Sequence, residues 1–328
     1  MKATVTVADV GEAGLRALLR PFLAVGSGDL VTGVGDDAAV WQPPLGQAIV
    51  TTTDSLSEGI HFTVPLSVRG AVDLGWRLLA ISLSDIAAMG AFAGPAFISL
   101  AVPGHWPVAW IEGLYQGIAE CGAQHNVAIA GGNLSGAASA VLTSVCLGAV
   151  DSRHLLRRHG ARAGDQLAVT GTVGTAAAVL RAQASGAEVP NWAPSGRPSP
   201  RLAAGQWLAA NQVTVALDIS DGLFIDSARL LEGAGCPGLL IEAAAIPVAA
   251  GLRERWPREW LEVAGGGEDY ELAFAAPPAR MRRALKALSE LGLAPAVIGV
   301  FDAGDGLRVT TAGVEALPPG SGHQHFRG

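Results

Sequence analysis

Six aspartates stand in short stretches rich in Gly, Ser and Thr: Asp36 and Asp37 in GVGDDAAV, Asp54 in TTTDSLSEGIHF, Asp85 in LSDIAAMGA, and Asp218 and Asp221 in LDISDGL. Two carboxylates about 4 Å apart repel by about 4 kcal/mol at an effective dielectric near 20, so acids gathered in one site call for cations. With oxygen ligands and no Cys or His cluster the ions are hard, Mg2+ above all, held partly by substrate phosphates. The chemistry that uses such a site is phosphoryl transfer, where positioning and charge neutralisation supply most of the catalysis. A plainer reading stands beside each motif. Asp36 and Asp37 behind Gly35 also read as a β-turn, and Ser84 and Asp85 as the cap of a second short helix. His61, a few residues beyond Asp54, reads as structural or as a site group. In GGGEDYELAF three glycines bring Glu268 and Asp269 against a crevice.

These residues need elements to hold them. Residues 74–91 carry Leu78, Leu79, Leu83 and Ile86 at helical spacing, which predicts a helix whose one acid, Asp85, sits among apolar neighbours. Ahead of it, residues 12–22 predict a short helix and residues 48–53 a β-branched strand that ends at Asp54. After it come a strand at 96–102, an amphipathic helix at 108–125, a strand at 127–130 entering a GGNLSG turn, and a strand at 138–150. This alternation predicts one α/β domain over residues 1–150.

Residues 151–328 predict a second α/β domain. A strand at 166–170 runs through Gly171–Gly174 into a helix from Thr175, a turn whose N–H groups suit a phosphate but which is also common in plain αβ connections. Residues 188–200 read as an exposed Pro-rich loop. A β-branched strand then ends in Asp218 and Asp221, with Gly222 turning the chain into a helix. A strand at 239–241, a helix at 280–291 and a strand at 294–300 complete the half.

Composition narrows the partners. The chain has 328 residues, half of them hydrophobic, 43 glycines and a formal net charge of -7. That balance argues against nucleic acid as a partner, since phosphate backbones want a basic face. Cys121, Cys146 and Cys236 are too few and scattered for a disulfide framework or a zinc site, which predicts a reducing, cytoplasmic setting. The first residues, MKATVTVADVGEAGLRALLR, have no apolar core of a signal peptide. Residues 86–111 and 127–150 lack Asp, Glu, Lys and Arg, yet Gly and Pro interrupt the first and Gly131-Gly132-Asn133 the second. Both read as buried strands and turns, with no membrane span.

Seven motifs in order, GVGDDAAV, TTTDSLSEGIHF, LSDIAAMGA, VTGTVGTAA, SPRLAAG, LDISDGL and GGGEDYEL, resemble the thiamine-monophosphate kinases of the aminoimidazole-ribonucleotide-synthetase-like superfamily. The resemblance implies an α/β fold of α+β type, with an N-terminal domain whose sheet pairs with its twin in a homodimer, a C-terminal α/β domain, and an ATP cleft formed with both. It implies transfer of the γ-phosphoryl of ATP to thiamine monophosphate, giving thiamine diphosphate and ADP. By position, Asp37, Thr53, Asp54, Asp85, Asp218 and Asp221 match Mg2+ ligands with Thr52 beside them, and Asp85, Asp218 and Asp221 stand as the catalytic acids. Gly132, Arg158 and Ser220 match ATP contacts, and His61 and Glu268 match substrate contacts. Two departures are visible. Asn133 stands where the family has an acidic metal ligand, and the tail PPGSGHQHFRG keeps His325 and Phe326 but has no Trp or Tyr to stack on a thiamine ring.

Three alternatives remain open: another enzyme of the superfamily, a kinase for a different small phosphorylated metabolite, and a non-catalytic nucleotide-binding paralogue. Against the first, the selenophosphate synthetases carry a reactive Cys or selenocysteine near the N-terminus and the hydrogenase-maturation members end in Cys, and this chain has neither.

Overall fold

The computed structural model describes residues 4–24, 26, 29–189 and 196–319. The C-terminal stretch with His325 and Phe326 lies outside the described residues, as does part of the Pro-rich loop. The chain divides into two compact units, residues 1–86 with 92–152 and residues 87–91 with 153–328.

In the N-terminal unit, α1 (Val7–Leu19) joins a first turn, capped by Thr6 and Asp9, to the expected helix across a kink at Gly11, whose φ is 62°. A short ladder of β1 (Leu30–Thr32) and β2 (Val40–Trp41) follows. Then come β3 (Ala48–Ser57), α2 (Val68–Ala88), β4 (Phe92–Val102), α3 (Val108–His125), β5 (Ile129–Gly136) and β6 (Val141–Val150). The four long strands form one sheet in the order β3-β6-β4-β5. Only β4 and β5 run parallel, and α3 is the crossover that a parallel pair requires.

Three sequence expectations change here. The strand through the Thr-rich run does not stop at Asp54: β3 pairs with β6 over ten registered positions, and Asp54 faces Ser144 within the ladder. GGNLSG is no turn but the body of β5, because Gly131 through Gly136 find backbone partners along β4 from Phe97 to Val102. A ladder on offer outweighs the poor strand propensity of Gly and Asn. Finally, α2 is unbroken through Ala88, so Asp85 lies in its last turn and caps nothing.

Helix α2 is buried almost all round, with Ala71, Leu78, Leu79, Ala80, Leu83 and Ile86 all 0 % exposed. An interior helix of this kind has no polar face to spare, and its partner α3 approaches it backbone to backbone. A Cβ added at Gly75 would collide with the Leu114 carbonyl, and one at Gly117 with the carbonyl of Val72. α3 itself stops at Asn126, whose φ of 56° closes the helix in a left-handed C-cap.

The C-terminal unit is built on a seven-stranded sheet, order β13-β12-β9-β11-β7-β10-β8. Its strands are β7 (Gln166–Val169), β8 (Val215–Asp218), β9 (Gly238–Glu242), β10 (Leu272–Ala276), β11 (Ala296–Asp302), β12 (Gly306–Thr311) and β13 (Val314–Ala316). The helices are α4 (Thr175–Ala184), α5 (Leu202–Ala210), α6 (Leu223–Glu232), α7 (Leu252–Arg255), α8 (Trp260–Ala264) and α9 (Pro278–Glu290). Only β9 and β12 pair in parallel, so the predicted αβ alternation yields a mixed, largely antiparallel sheet. Its core gathers Leu167, Val169, Leu217, Ile219, Phe224, Ile241 and Phe301. The hairpin β12–β13 escapes sequence reading because its two-residue turn is Ala312-Gly313, both at positive φ, where an Asn or Asp would have announced it. Among the described residues no helix is long and apolar enough to cross a membrane.

The α2–α3 contact yields a first test. Gly75→Ala overpacks a contact between two backbones, neither of which a rotamer change relieves, and is expected to cost about 1–3 kcal/mol. Gly136→Ala, where an added Cβ meets nothing within 4 Å, serves as control. Chemical denaturation of both variants checks it; equal midpoints would refute the close packing.

Candidate functional site

Strand periodicity decides which side chains of β3 meet α2. Thr52 and Asp54 share a face, two residues apart, and both engage the helix. The Thr52 hydroxyl donates to Asp85 Oδ2, while Ser82, one helical turn before Asp85, contacts Asp54 Oδ2 at 3.0 Å. Thr53 and Ser55 point to the other side and are exposed. The structure thus brings Thr52, Asp54 and Asp85 together.

A run of hydroxyls stands behind Asp54. Ser82 donates to Asp54 Oδ2 and also lies 2.7 Å from Ser144 Oγ, and Ser144 donates to the Leu78 carbonyl at 2.7 Å. Burial, then the nearby charge of Asp85, push the Asp54 carboxyl up to about 6, against the lowering effect of Ser82. A carboxyl raised in this way gives up its proton more readily when positive charge arrives beside it. The donors here are carboxylate and hydroxyl oxygens, which fit a hard divalent cation.

In the C-terminal unit the candidate stretch is the loop between β8 and α6. Asp218, 4 % exposed, ends β8 opposite Leu272. Beyond it the backbone N–H groups of Ser220, Asp221 and Gly222 all donate to one oxygen of Asp226, at 3.1, 3.0 and 3.0 Å. With those amides engaged, Ser220 can offer a ligand its hydroxyl but not its N–H. Gly222 is required here, since its φ is 129° and a Cβ would strike the Gly265 carbonyl.

That contact joins the loop to GGGEDYEL. Glu268 and Tyr270 sit at φ of 68° and 52°, left-handed conformations that side-chain-bearing residues adopt only under constraint. The constraints are visible. Glu268 N–H donates to the Ser220 carbonyl at 2.8 Å and Tyr270 N–H to that of Ile219 at 2.9 Å. Glu271 is gripped by Arg201 through Nε at 2.8 Å and Nη2 at 2.5 Å, and receives the Thr170 hydroxyl at 2.6 Å. Glu268 is thereby held beside Ser220 by neighbours on both sides.

Asp269 corrects two expectations at once. Its carboxyl faces no crevice; it accepts N–H groups at the start of α4, that of Gly174 at 2.9 Å and those of Thr175 and Ala176 beside it. Burial drives its pKa well above the usual carboxylate range, against the lowering effect of those N–H groups. The helix N-terminus that suits a phosphate is therefore filled from within the chain.

Other matched residues stand elsewhere. Asp37 is exposed between β1 and β2, its N–H bonded to Asp36. Arg158 is exposed on the segment leading to β7. Gly132 and Asn133 are exposed on β5, and Asn133 falls in register with Ser99, Thr143 and Ser55, the row adjacent to that of Asp54. His61 accepts the Ser57 N–H on Nδ1 at 3.0 Å, which puts the proton of the neutral ring on Nε2. Among the described residues no three His, Cys, Asp or Glu side chains form a ready metal cluster. A cleft of about 460 Å3 lined by Asp29, Trp41, Gly94 and Asn126 contains none of the matched residues.

Sequence reading missed Ser82, Ser144, Asp226, Arg229, Arg201 and Glu271. Ser82 had a signal, its i, i+3 spacing to Asp85 in an otherwise apolar helix. Asp226 had another, as an acid in the first turn of a helix that follows SDG.

Comparison with known proteins identifies the family of the two units. Residues 35–150 match the AIR synthase related protein, N-terminal domain, and residues 162–312 the C-terminal domain. Thiamine-monophosphate kinase of Synechococcus elongatus is 34% identical over 305 residues, 87% of this chain and 88% of the relative. The crystal structure of thiamine-monophosphate kinase from Stenotrophomonas maltophilia K279a is 32% identical, with TM-score 0.80, over 90% of this chain and 95% of that one. A second structure, AaThiL complexed with AMPPCP and TMP, is 26% identical, with TM-score 0.75, over 98% and 99%.

The raised Asp54 pKa has a measurable sign. The folded value of about 6 exceeds the ordinary 3.8, so the folded state holds the proton more tightly. Its contribution to stability is complete below about pH 4 and is lost as pH rises through about 6. Denaturation of metal-free protein should show this loss, Asp54→Asn should flatten it, and Mg2+ should offset it at neutral pH. An unchanged pH slope in the variant would assign the loss to other groups.

Proposed function

The chain belongs to the AIR synthase related family and, within it, to the thiamine-monophosphate kinases; from that premise we propose that it transfers the γ-phosphoryl group of ATP to thiamine monophosphate, giving thiamine diphosphate and ADP. The observation that carries the reading is the half-buried pair of Asp54 on β3 and Asp85 on α2, in a relative of a kinase named with AMPPCP and TMP.

The acceptor oxygen belongs to a phosphate monoester whose second pKa is about 6, so it is largely ionised at neutral pH and needs no general base. What the protein must do is hold two anions in line. Thr52, Asp54 and Asp85 of the N-terminal unit, with Asp37, and Asp218 and Asp221 of the C-terminal unit are the residues that would hold Mg2+, whereas the Thr53 side chain points away from them. When bound, Mg2+ screens the repulsion between the phosphates and stabilises charge on the transferring group. Asp85, Asp218 and Asp221 serve as the catalytic acids. Ser220, through its hydroxyl, Arg158 and the Gly132 backbone contact ATP. His61, with its proton on Nε2, and Glu268, fixed by its strained backbone, contact thiamine monophosphate. Asn133 brings an amide oxygen but no charge where relatives have an acid. A cytoplasmic setting agrees with three free cysteines.

The protein acts as a homodimer through the face of the N-terminal sheet that α2 leaves uncovered. Ile49, Thr51, Thr53 and Ser55 are exposed there in a row along β3, with Thr143, Val145 and Leu147 half-buried beside them. A sheet face with apolar residues in the open wants a cover.

Two experiments test these statements. ADP release with Mg2+-ATP is expected with thiamine monophosphate and not with a panel of other monophosphates, and Asp85→Asn should lower kcat by about 100-fold or more without a shift in the melt. Turnover within a few-fold of the parent would remove Asp85 from the chemistry. Ile49→Arg is expected to halve the mass seen in sedimentation; an unchanged mass would place the dimer contact elsewhere.

A further inference from the structure

Asp221 differs from Asp54 in one respect that geometry makes plain: it is met by a cation of the chain itself. Arg229, on α6, places Nη2 at 2.5 Å from Asp221 Oδ2 and Nη1 at 2.6 Å from Asp226 Oδ1. The guanidinium therefore bridges two carboxylates of unlike setting. Asp226 has 2 % of its side chain exposed and spends its other oxygen on three loop amides, whereas Asp221 is 27 % exposed. A buried acid with four N–H donors is a fixed anchor. Its grip sets both the backbone of the SDG loop and the position of Arg229.

From this we propose that Arg229 is a positioning residue and the resident counter-ion of Asp221, holding that carboxylate in place until a divalent cation displaces it. The inference rests on the reading of Asp221 as a Mg2+ ligand. Guanidinium and metal ion compete for the same oxygen. The arginine is 37 % exposed, so water and salt screen its attraction and the pair is weak enough to yield. After displacement Arg229 stays on Asp226, which still needs a positive neighbour, and so remains ready to return. The device keeps Asp221 oriented and neutralised in the metal-free protein, and it raises the metal concentration that the site requires.

The test measures Mn2+ binding to the whole, nucleotide-free protein by electron paramagnetic resonance of the free ion, with melts in chelator on the same samples. Arg229→Gln removes the competitor and is expected to tighten binding about 2- to 5-fold, the size of a partly exposed ion pair, while lowering the metal-free melting temperature. Arg229→Lys keeps the charge and should bind like the parent. Arg229→Met, which preserves the aliphatic stem, replaces the Gln variant if that fails to fold. Asp221→Asn should weaken binding and abolish the effect of the arginine substitutions. If Asp221→Asn weakens binding but loss of the arginine charge leaves it unchanged or weaker, the counter-ion role is overturned while the metal reading stands. If Asp221→Asn leaves Mn2+ binding intact, the metal reading itself falls, and this inference with it.

Discussion

A carboxylate withdrawn from water costs several kcal/mol unless donors replace the water it gives up, and the buried acids of this chain are sorted by how that is done. Asp269 takes the N–H groups at the start of α4. Asp226 takes those of the SDG loop and a guanidinium. Glu271 takes both sides of Arg201 and a threonine hydroxyl. Each of these is satisfied within the C-terminal unit and so serves as a fastening. Asp54 is served less well, by one serine and against the field of Asp85. These three satisfied acids build the scaffold, and at Asp54, served less well, a cation has more to offer.

The fastenings explain why strained backbone persists in GGGEDYEL. The left-handed conformations at Glu268 and Tyr270 cost of order 1–3 kcal/mol each, which an exposed loop would release by refolding locally. Here Asp269 and Glu271 alternate with the strained residues, and each is tied to a different element, α4 and Arg201 at the head of α5. The glycines matter for the same reason. A Cβ on Gly266 would collide with Ala177 and one on Gly267 with the Ser220 carbonyl, so the run lets the loop lie against α4 and the SDG turn at backbone distance. Sequence alone showed three glycines before two acids. It did not show that the first acid of the pair faces outward and the second inward.

Much of the architecture was legible because periodicity is a local property. α3 was expected over the residues it occupies, and the strands at 166–170 and 239–241 were expected within a residue or two of β7 and β9. The misreadings share a cause. Asp54 inside β3, Gly131–Gly136 as β5 and the unpredicted β12–β13 hairpin are all strand segments whose hydrogen-bond partners lie far off in the sequence. Local letters say turn or terminus at each, and the partner strand decides otherwise. The site was legible in the same partial way. Thr52, Asp54 and Asp85 could be named from motifs, but Ser82, which donates to Asp54, and Ser144 behind it become visible only when α2 lies across β3 and β6.

The departures from the family pattern acquire a physical meaning in this setting. Asn133 is exposed on β5, in the row next to that of Asp54, and an amide in place of an acid removes one negative charge from that end of the sheet. That row includes Ser55, whose side chain points away from α2, so the missing charge lies on the face of the sheet opposite Asp54 and Asp85. Asp54 itself meets one serine hydroxyl, while burial and the field of Asp85 raise its pKa to about 6. Asp221 is met instead by a guanidinium, Arg229 at 2.5 Å. The two units thus differ in how an acid is balanced: a hydroxyl leaves the charge of Asp54 in place, whereas an arginine covers that of Asp221.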